Sequence, residues 1–197
     1  MSDARPQPWT WNRYLAWEAH QPFRYEFVDG QVQAMGGGTA EHDLIANNLR
    51  GELRDRLHDH RCRVHGPDLK VRAGANARYP DALIDCGPRV PGALHAQQPA
   101  AVFEILSKST AWIDQSLKLR DYDATETILY YVLVSQDEAR ALVYTRDTTG
   151  RLGMHSAVLL EGSDASIDLP ELGVSLPMAA LYEGVGLTDS STANEPG

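Results

Sequence analysis

The chain has 197 residues, 43% of them hydrophobic and 23% charged, with a formal net charge of −9. That length suffices for one domain around one core, and the composition excludes disordered and collagen-like classes. No apolar run reaches the ~18 residues of a membrane-spanning helix. Broad, nonspecific nucleic-acid binding is disfavoured too, because polyanion affinity comes mainly from Lys and Arg.

The opening "MSDARPQPWTWNRYLAWEAH" lacks the uninterrupted apolar stretch of a secretory signal, so a cytoplasmic location is expected. Cys62 and Cys86 are the only cysteines, and two in a chain of this kind read as reduced thiols rather than a disulfide framework. Charge is unevenly spread. Residues 54–78 hold seven bases against three acids, whereas residues 161–197 hold seven acids and no Lys or Arg. Such segments are either two solvated surfaces or a basic face turned to a polyanion with an acidic end facing away.

Thr10 is placed to cap a first helix running to about His20. "FRYEFVDGQVQAM" alternates apolar and polar residues around Asp29-Gly30, a strong hairpin signal. After a glycine run, Thr39 opens a long helix with Leu44, Ile45, Leu49, Leu53 and Leu57 at helical spacing. "RCRVH", "DLKVRA", "DALIDC" and "AAVFEILS" then read as strands. "STAWIDQSLKLRDYDA" returns to helix, with Ser109 or Thr110 as its cap. "TILYYVLVS" and "RALVYTRD" pair through a turn at Gln136-Asp137, and "GMHSAVLL" and "SIDLPELGVSL" complete the strands. "PMAALYEGV" is a short last helix. Residues 1–186 are expected to form a single domain of the α/β (α+β) class, a mixed sheet flanked by helices, with 187–197 a disordered tail.

Two Pro-Asp dipeptides invite a metal-site reading, Pro67-Asp68 and Pro80-Asp81. The first leads into "DLKVRA", where alternation puts Asp68, Lys70 and Arg72 on one solvated face, with no chemistry required. The second precedes "DALID", and downstream Glu104 sits amid the apolar run "PAAVFEILS". A carboxylate buried there costs several kcal/mol unless it is paired, protonated or bound to a metal. Two acids on neighbouring strands can converge on one hard cation, and a salt bridge to an arginine is the alternative. The position two residues after Glu104 holds Leu106 rather than lysine, but the next helix carries Asp114, Lys118 and Tyr122 every four residues along one side. Lys118 there either reaches the carboxylates or forms a surface pair with Asp114.

Together "YEFVDGQVQAM", "EHDLIANNL", "YPDALI" and "VFEILSKST", followed by Asp114, Lys118 and Tyr122, resemble the Uma-two family over residues 8–183. The resemblance implies a restriction-endonuclease-like fold and a metal-dependent DNA endonuclease that leaves a 5′-phosphate. It makes Asp81 and Glu104 the metal-binding acids, with the Ile105 carbonyl, for Mg²⁺ or Mn²⁺, and Lys118 a lysine moved from strand to helix. Glu26 and His42 match recurrent polar positions and are auxiliary candidates. Arg61, Arg63, Lys70 and Arg72 are candidate DNA-backbone contacts, and a homodimer is expected by analogy. A catalytically silent binding or scaffold protein on the same fold is the competing expectation. The chain departs from the family pattern at Lys108, where proline is usual, and at Tyr130-Tyr131-Val132, where Glu-Tyr-Trp is usual.

Other clusters carry less. His58, His60, Cys62 and His65 match no paired zinc-ligand spacing. "GGGTAEH" lacks the Gly-Lys-Ser/Thr ending of a phosphate loop, and neither Ser107 nor Ser109 sits in a nucleophile elbow.

Overall fold

The computed structural model describes residues 8–106 and 112–187, without the side chains of 112–114. The expected Ser109 or Thr110 cap, the Asp114 side chain and the tail beyond Leu187 lie outside the described residues.

Helix α1 (Trp11–Glu18) starts where Thr10 accepts a hydrogen bond from the Arg13 amide, and it buries Tyr14. Strands β1 (Tyr25–Val28) and β2 (Gln31–Ala34) turn through Asp29 and Gly30, whose φ values are 47° and 80°. Both turn residues thus adopt the left-handed backbone that two-residue hairpins require. Helix α2 (Ala40–Arg56) is capped by Thr39 and buries Ile45, Ala46, Leu49 and Leu53 along one face.

Next come β3 (Arg63–His65), β4 (Val71–Ala73), β5 (Asn76–Arg78), β6 (Ala82–Asp85) and β7 (Pro99–Leu106). Helix α3 (Trp112–Asp123) leads to β8 (Tyr130–Ser135), β9 (Arg140–Arg146) and β10 (Leu152–Glu161). A last hairpin of β11 (Ser166–Leu169) and β12 (Val174–Pro177) precedes α4 (Met178–Leu181).

The strands form three sheets. Six make the central one, in the order β10-β9-β8-β7-β6-β3, mixed because β7 and β8 run parallel while the other pairs are antiparallel. The connection between β7 and β8 carries α3, as a parallel crossover requires. Alternation along β7 divides the core. Ala101, Phe103 and Ile105 pack with Ile45, Leu49 and Leu53 of α2. Val102 packs on the opposite face with Tyr122 of α3. Glu104, two residues on from Val102, belongs to that second face.

The other strands lie outside the central sheet. The Asp29-Gly30 hairpin pairs through β1 with β5, giving a four-stranded sheet in the order β2-β1-β5-β4. This corrects the reading of "DLKVRA" as one strand with a charged solvent face. Its regular part is Val71–Ala73, with Arg72 exposed and Lys70 buried at 3%. Helix α1 lies over that side: the Lys70 ammonium sits 3.1 Å from Glu18 Oε2 and above the Tyr79 ring.

A second correction concerns the cysteines, which form a disulfide. Arg63 pairs with Asp85 across β3 and β6, so the preceding Cys62 and following Cys86 face one another, 4.0 Å apart at Cα. Closing a loop with a sequence separation of 24 stabilises the fold by roughly 3 kcal/mol in the chain-entropy account. Cys62→Ser should therefore lower the urea midpoint by the equivalent of about 3 kcal/mol. Reductant should shift the wild type equally and leave the variant unmoved. A wild-type midpoint insensitive to reductant, with two titratable thiols, would count against the bond.

Candidate active site

The site lies where β6 begins and β7 ends. Ala82 pairs with Phe103, so carrying the antiparallel register one step outward sets Asp81 opposite Glu104. Directly opposed residues share a face with Cβ atoms roughly 5 Å apart. Both acids line a 290 Å³ cavity with Glu26, His42, Ile105 and Lys118. A second cavity of 440 Å³ lies by Leu133, Leu142 and Leu159 and contains none of these groups.

Glu104 is the buried centre, 5% exposed, and each oxygen has a partner from α3. Lys118 Nζ donates to Oε2 at 2.8 Å and Tyr122 Oη donates to Oε1 at 2.9 Å. The two donors sit four residues apart, one helical turn, so they arrive together. Burial pushes the Glu104 carboxyl up to about 7, Lys118 pulls against that, and the negative charges of Asp81 and Glu26 add to the rise. Burial also pushes the Tyr122 phenol well above its ordinary value, helped by the Glu104 charge, so it stays a donor.

Asp81 is more open. Its Oδ2 accepts from the Ile105 amide at 2.7 Å and lies 3.3 Å from His42 Nε2. That contact raises the His42 imidazole, outweighing the opposing effect of burial. His42 occupies the first turn of α2, where its own amide donates to Thr39. The glycine run before this helix leaves room for that imidazole: a Cβ on Gly38 would lie 2.9 Å from His42 Nδ1.

Helix α3 is anchored by an ion network that the spacing of charges did not reveal. Arg78, 1% exposed, donates through Nε and Nη2 to Asp121 Oδ2, at 2.9 and 2.7 Å. Its Nη1 reaches Glu26 Oε2 at 2.8 Å, and Glu26 Oε1 accepts from the Tyr79 amide at 3.0 Å. Burial opposes the charge on Arg78, but Glu26 and Asp121 outweigh it and hold the guanidinium more firmly protonated than usual. Tyr79 continues the chain by donating to Glu18. Glu26 thus fixes the site and contributes negative charge to it. A signal was present: Arg78 precedes the Tyr-Pro-Asp segment, and Asp121 falls three residues after Lys118.

The expected DNA contacts fare unevenly. Lys70 is withdrawn, because a buried ammonium held by Glu18 cannot meet a phosphate. Arg72 is exposed with its guanidinium over the Trp11 ring. Arg61 is exposed, and Arg63 donates to the carbonyls of Arg61 and Gly87. None of the four lines the carboxylate cavity.

A mixed sheet with two carboxylates at adjoining strand ends and a lysine on the crossover helix defines a restriction-endonuclease-like architecture. The chain is similar in fold to the crystal structure of "a putative nuclease belonging to DUF820" from Anabaena variabilis ATCC 29413, with TM-score 0.71 and 16% identity, over 90% of this chain and 99% of that one. Residues 11–179 match the family model described as "Uma2: Putative restriction endonuclease", and the chain belongs to that family. Two curated relatives come from Synechocystis sp. (strain ATCC 27184 / PCC 6803 / Kazusa). Uncharacterized protein slr1290 is 29% identical across 87% of this chain and 90% of its own length. Uncharacterized protein sll1609 is 23% identical across 62% and 72%.

Removing Arg78 would strand two carboxylates. Arg78→Ala should cost about 3–5 kcal/mol in chemical unfolding, as breaking one side of a buried pair does. Adding Asp121→Asn to Arg78→Ala should restore part of that loss, since one orphaned charge is removed. A loss under about 1 kcal/mol for Arg78→Ala would show the network to be peripheral.

Proposed function

We propose that this chain is a metal-dependent endonuclease that hydrolyses phosphodiester bonds in DNA, with Asp81, Glu104 and Lys118 as its catalytic set. The observation that carries this reading is Glu104. It is a carboxylate near the end of a buried strand, opposite a second carboxylate, with a lysine from the crossover helix on its oxygen. A fold built only for stability gains nothing from placing like charges so close.

The donors suit Mg²⁺ or Mn²⁺, which prefer oxygen. Asp81 and Glu104 are two such donors, and a backbone carbonyl beside them is a candidate third. Ile105 supplies one. Its amide faces Asp81, and within a strand the N–H and C=O of one residue point to the same side. Asp81, Glu104 and the Ile105 carbonyl would hold the ion, which when bound acidifies a water and polarises the phosphoryl group.

The protein's own groups have distinct tasks. Tyr122 fixes one oxygen of Glu104 and so orients the other towards the cavity. Lys118 brings positive charge to the place where negative charge accumulates on phosphorus-bound oxygens. His42 holds Asp81 in register with the Ile105 amide. Action as a homodimer, by analogy with restriction-like folds, fits hydrolysis of both strands. A second reading, a binding or scaffold protein that does not cut, is favoured by one observation: the Lys118 ammonium lies 2.8 Å from Glu104 and can balance its charge.

Plasmid nicking separates the two. Wild type should nick supercoiled DNA with Mn²⁺ or Mg²⁺ and not with chelator, while Asp81→Ala, Glu104→Ala and Lys118→Ala should each lose about 100-fold or more. Equal activity in Glu104→Ala would end the endonuclease assignment. The carboxyl's position near 7 adds a pH signature. A protonated carboxyl cannot ligate, so Mn²⁺ affinity measured by calorimetry should rise with pH and level off above about 7. Below that plateau each unit of pH should cost up to about tenfold, and Glu104→Gln should abolish the dependence.

A further inference from the structure

Helix α2 carries a second set of polar groups outside the carboxylate cavity. Arg50 and Arg54, one turn apart, line a 260 Å³ cavity with Asn47 and with Val64, His65 and Gly66 at the end of β3. Elsewhere, Arg56, Arg78, Arg120, Arg140, Arg146 and Arg151 each answer a carboxylate. These two do not. Arg50 donates to the Asp81 carbonyl at 3.1 Å and to Asn47 Oδ1 at 2.5 Å, both neutral acceptors. Arg54 is exposed and forms no ion pair among the described residues.

Like charges at this spacing repel. A chain with nine acids to spare could have paired them, and leaves them instead with neutral neighbours. Gly66 is part of the arrangement, since a Cβ there would lie 3.3 Å from Arg50 Cδ, where the arginine stem crosses the strand end. Planar guanidinium forks match phosphate oxygens well. The cavity also adjoins the catalytic candidates: Asp81 receives Arg50 on its carbonyl and faces Glu104 with its side chain. Along α2, Arg50 lies about 12 Å from His42, which a nucleic-acid strand advancing ~3.4 Å per nucleotide covers in three or four steps.

We infer that Arg50 and Arg54 form a phosphate subsite that grips the nucleic-acid backbone a few nucleotides from the bond to be cut. The substrate class rests on the endonuclease reading, but the grip needs no metal. Backbone contacts of this kind position a strand without reading its sequence.

The test is fluorescence anisotropy with a short labelled DNA duplex, using the full chain in chelator, beside the plasmid-nicking assay. Arg54→Ala should weaken binding about fivefold irrespective of sequence and lower the salt slope by about one, and Arg54→Glu should weaken it further. Arg140→Ala, whose guanidinium is held by Glu138 and Glu161, serves as the control and should bind as wild type. If wild type nicks plasmid yet both Arg54 variants bind with unchanged affinity and slope, the subsite is refuted and the endonuclease stands. Weakened binding in those variants without nicking by wild type supports the subsite and refutes the endonuclease. A wild type that does not bind the duplex overturns the subsite outright.

Discussion

A carboxylate in the interior of a buried strand is stable only if something answers its charge, and Glu104 sets that condition for the whole molecule. The answer comes from α3, where Lys118 and Tyr122 each take one oxygen. Because both donors lie on one helical turn, α3 must cross the sheet at a particular height and rotation. Burial, opposed by Lys118 and reinforced by the charges of Asp81 and Glu26, lifts the carboxyl to about 7. The structure therefore keeps Glu104 close to the point at which its charge can be exchanged between a proton, an ammonium and any cation the cavity admits.

That constraint passes outward through Arg78. The residue after Lys118 and Leu119 is Arg120, and the next, Asp121, turns towards β5 and receives two hydrogen bonds from the Arg78 guanidinium. The same guanidinium holds Glu26 of β1, so charge ties the small four-stranded sheet to the crossover helix in addition to the apolar packing of Val71 and Ala73 with Tyr122. Glu26 then faces the carboxylate cavity. Helix α1 closes the outer end through Glu18, which takes Tyr79 and Lys70. A chain of alternating charges, each desolvated and each answered, thus runs from α1 to the site. Such networks rank low as sources of net stability but high as determinants of a single geometry, and a site of two adjacent acids needs geometry most.

Local chemistry was legible wherever it was governed by near neighbours. Thr10 and Thr39 cap their helices, Asp29-Gly30 turns its hairpin, and the apolar ridge from Ile45 to Leu53 is the buried face of α2. Glu104 could be singled out because an acid within "PAAVFEILS" violates the pattern around it. What escaped depends on elements far apart in sequence. Lys70 alternates like a surface residue, and only the placement of α1 over β4 buries it. Arg78 looks like one base among seven, yet its partners lie 52 residues before it and 43 after it. Cys62 and Cys86 face each other only through the β3–β6 register, which the strand pattern leaves unspecified. Composition likewise left the basic segment 54–78 open as either a solvated surface or a polyanion face, because pairing, not count, decides whether a base is available.

Availability also bears on how an acidic protein could meet an acidic polymer. The exposed acids Glu161, Asp164, Asp168, Glu171 and Glu183 sit in the C-terminal hairpin region and around α4. Helix α4 packs against α2, through Asn48 bonded to the Leu181 and Glu183 carbonyls. Negative charge is therefore gathered on one flank of α2, while Arg50 and Arg54 face the β3 end. At physiological ionic strength charges further apart than about 8 Å are largely screened. A net charge of −9 then opposes long-range approach without cancelling a short-range grip of two guanidiniums. With the proposed subsite, such a surface would discriminate by fit: a phosphate that reaches the cavity would be held, and one that meets the flank would be turned away. That would permit contact with a polyanion near the carboxylates while denying the indiscriminate adhesion that a uniformly basic face would bring.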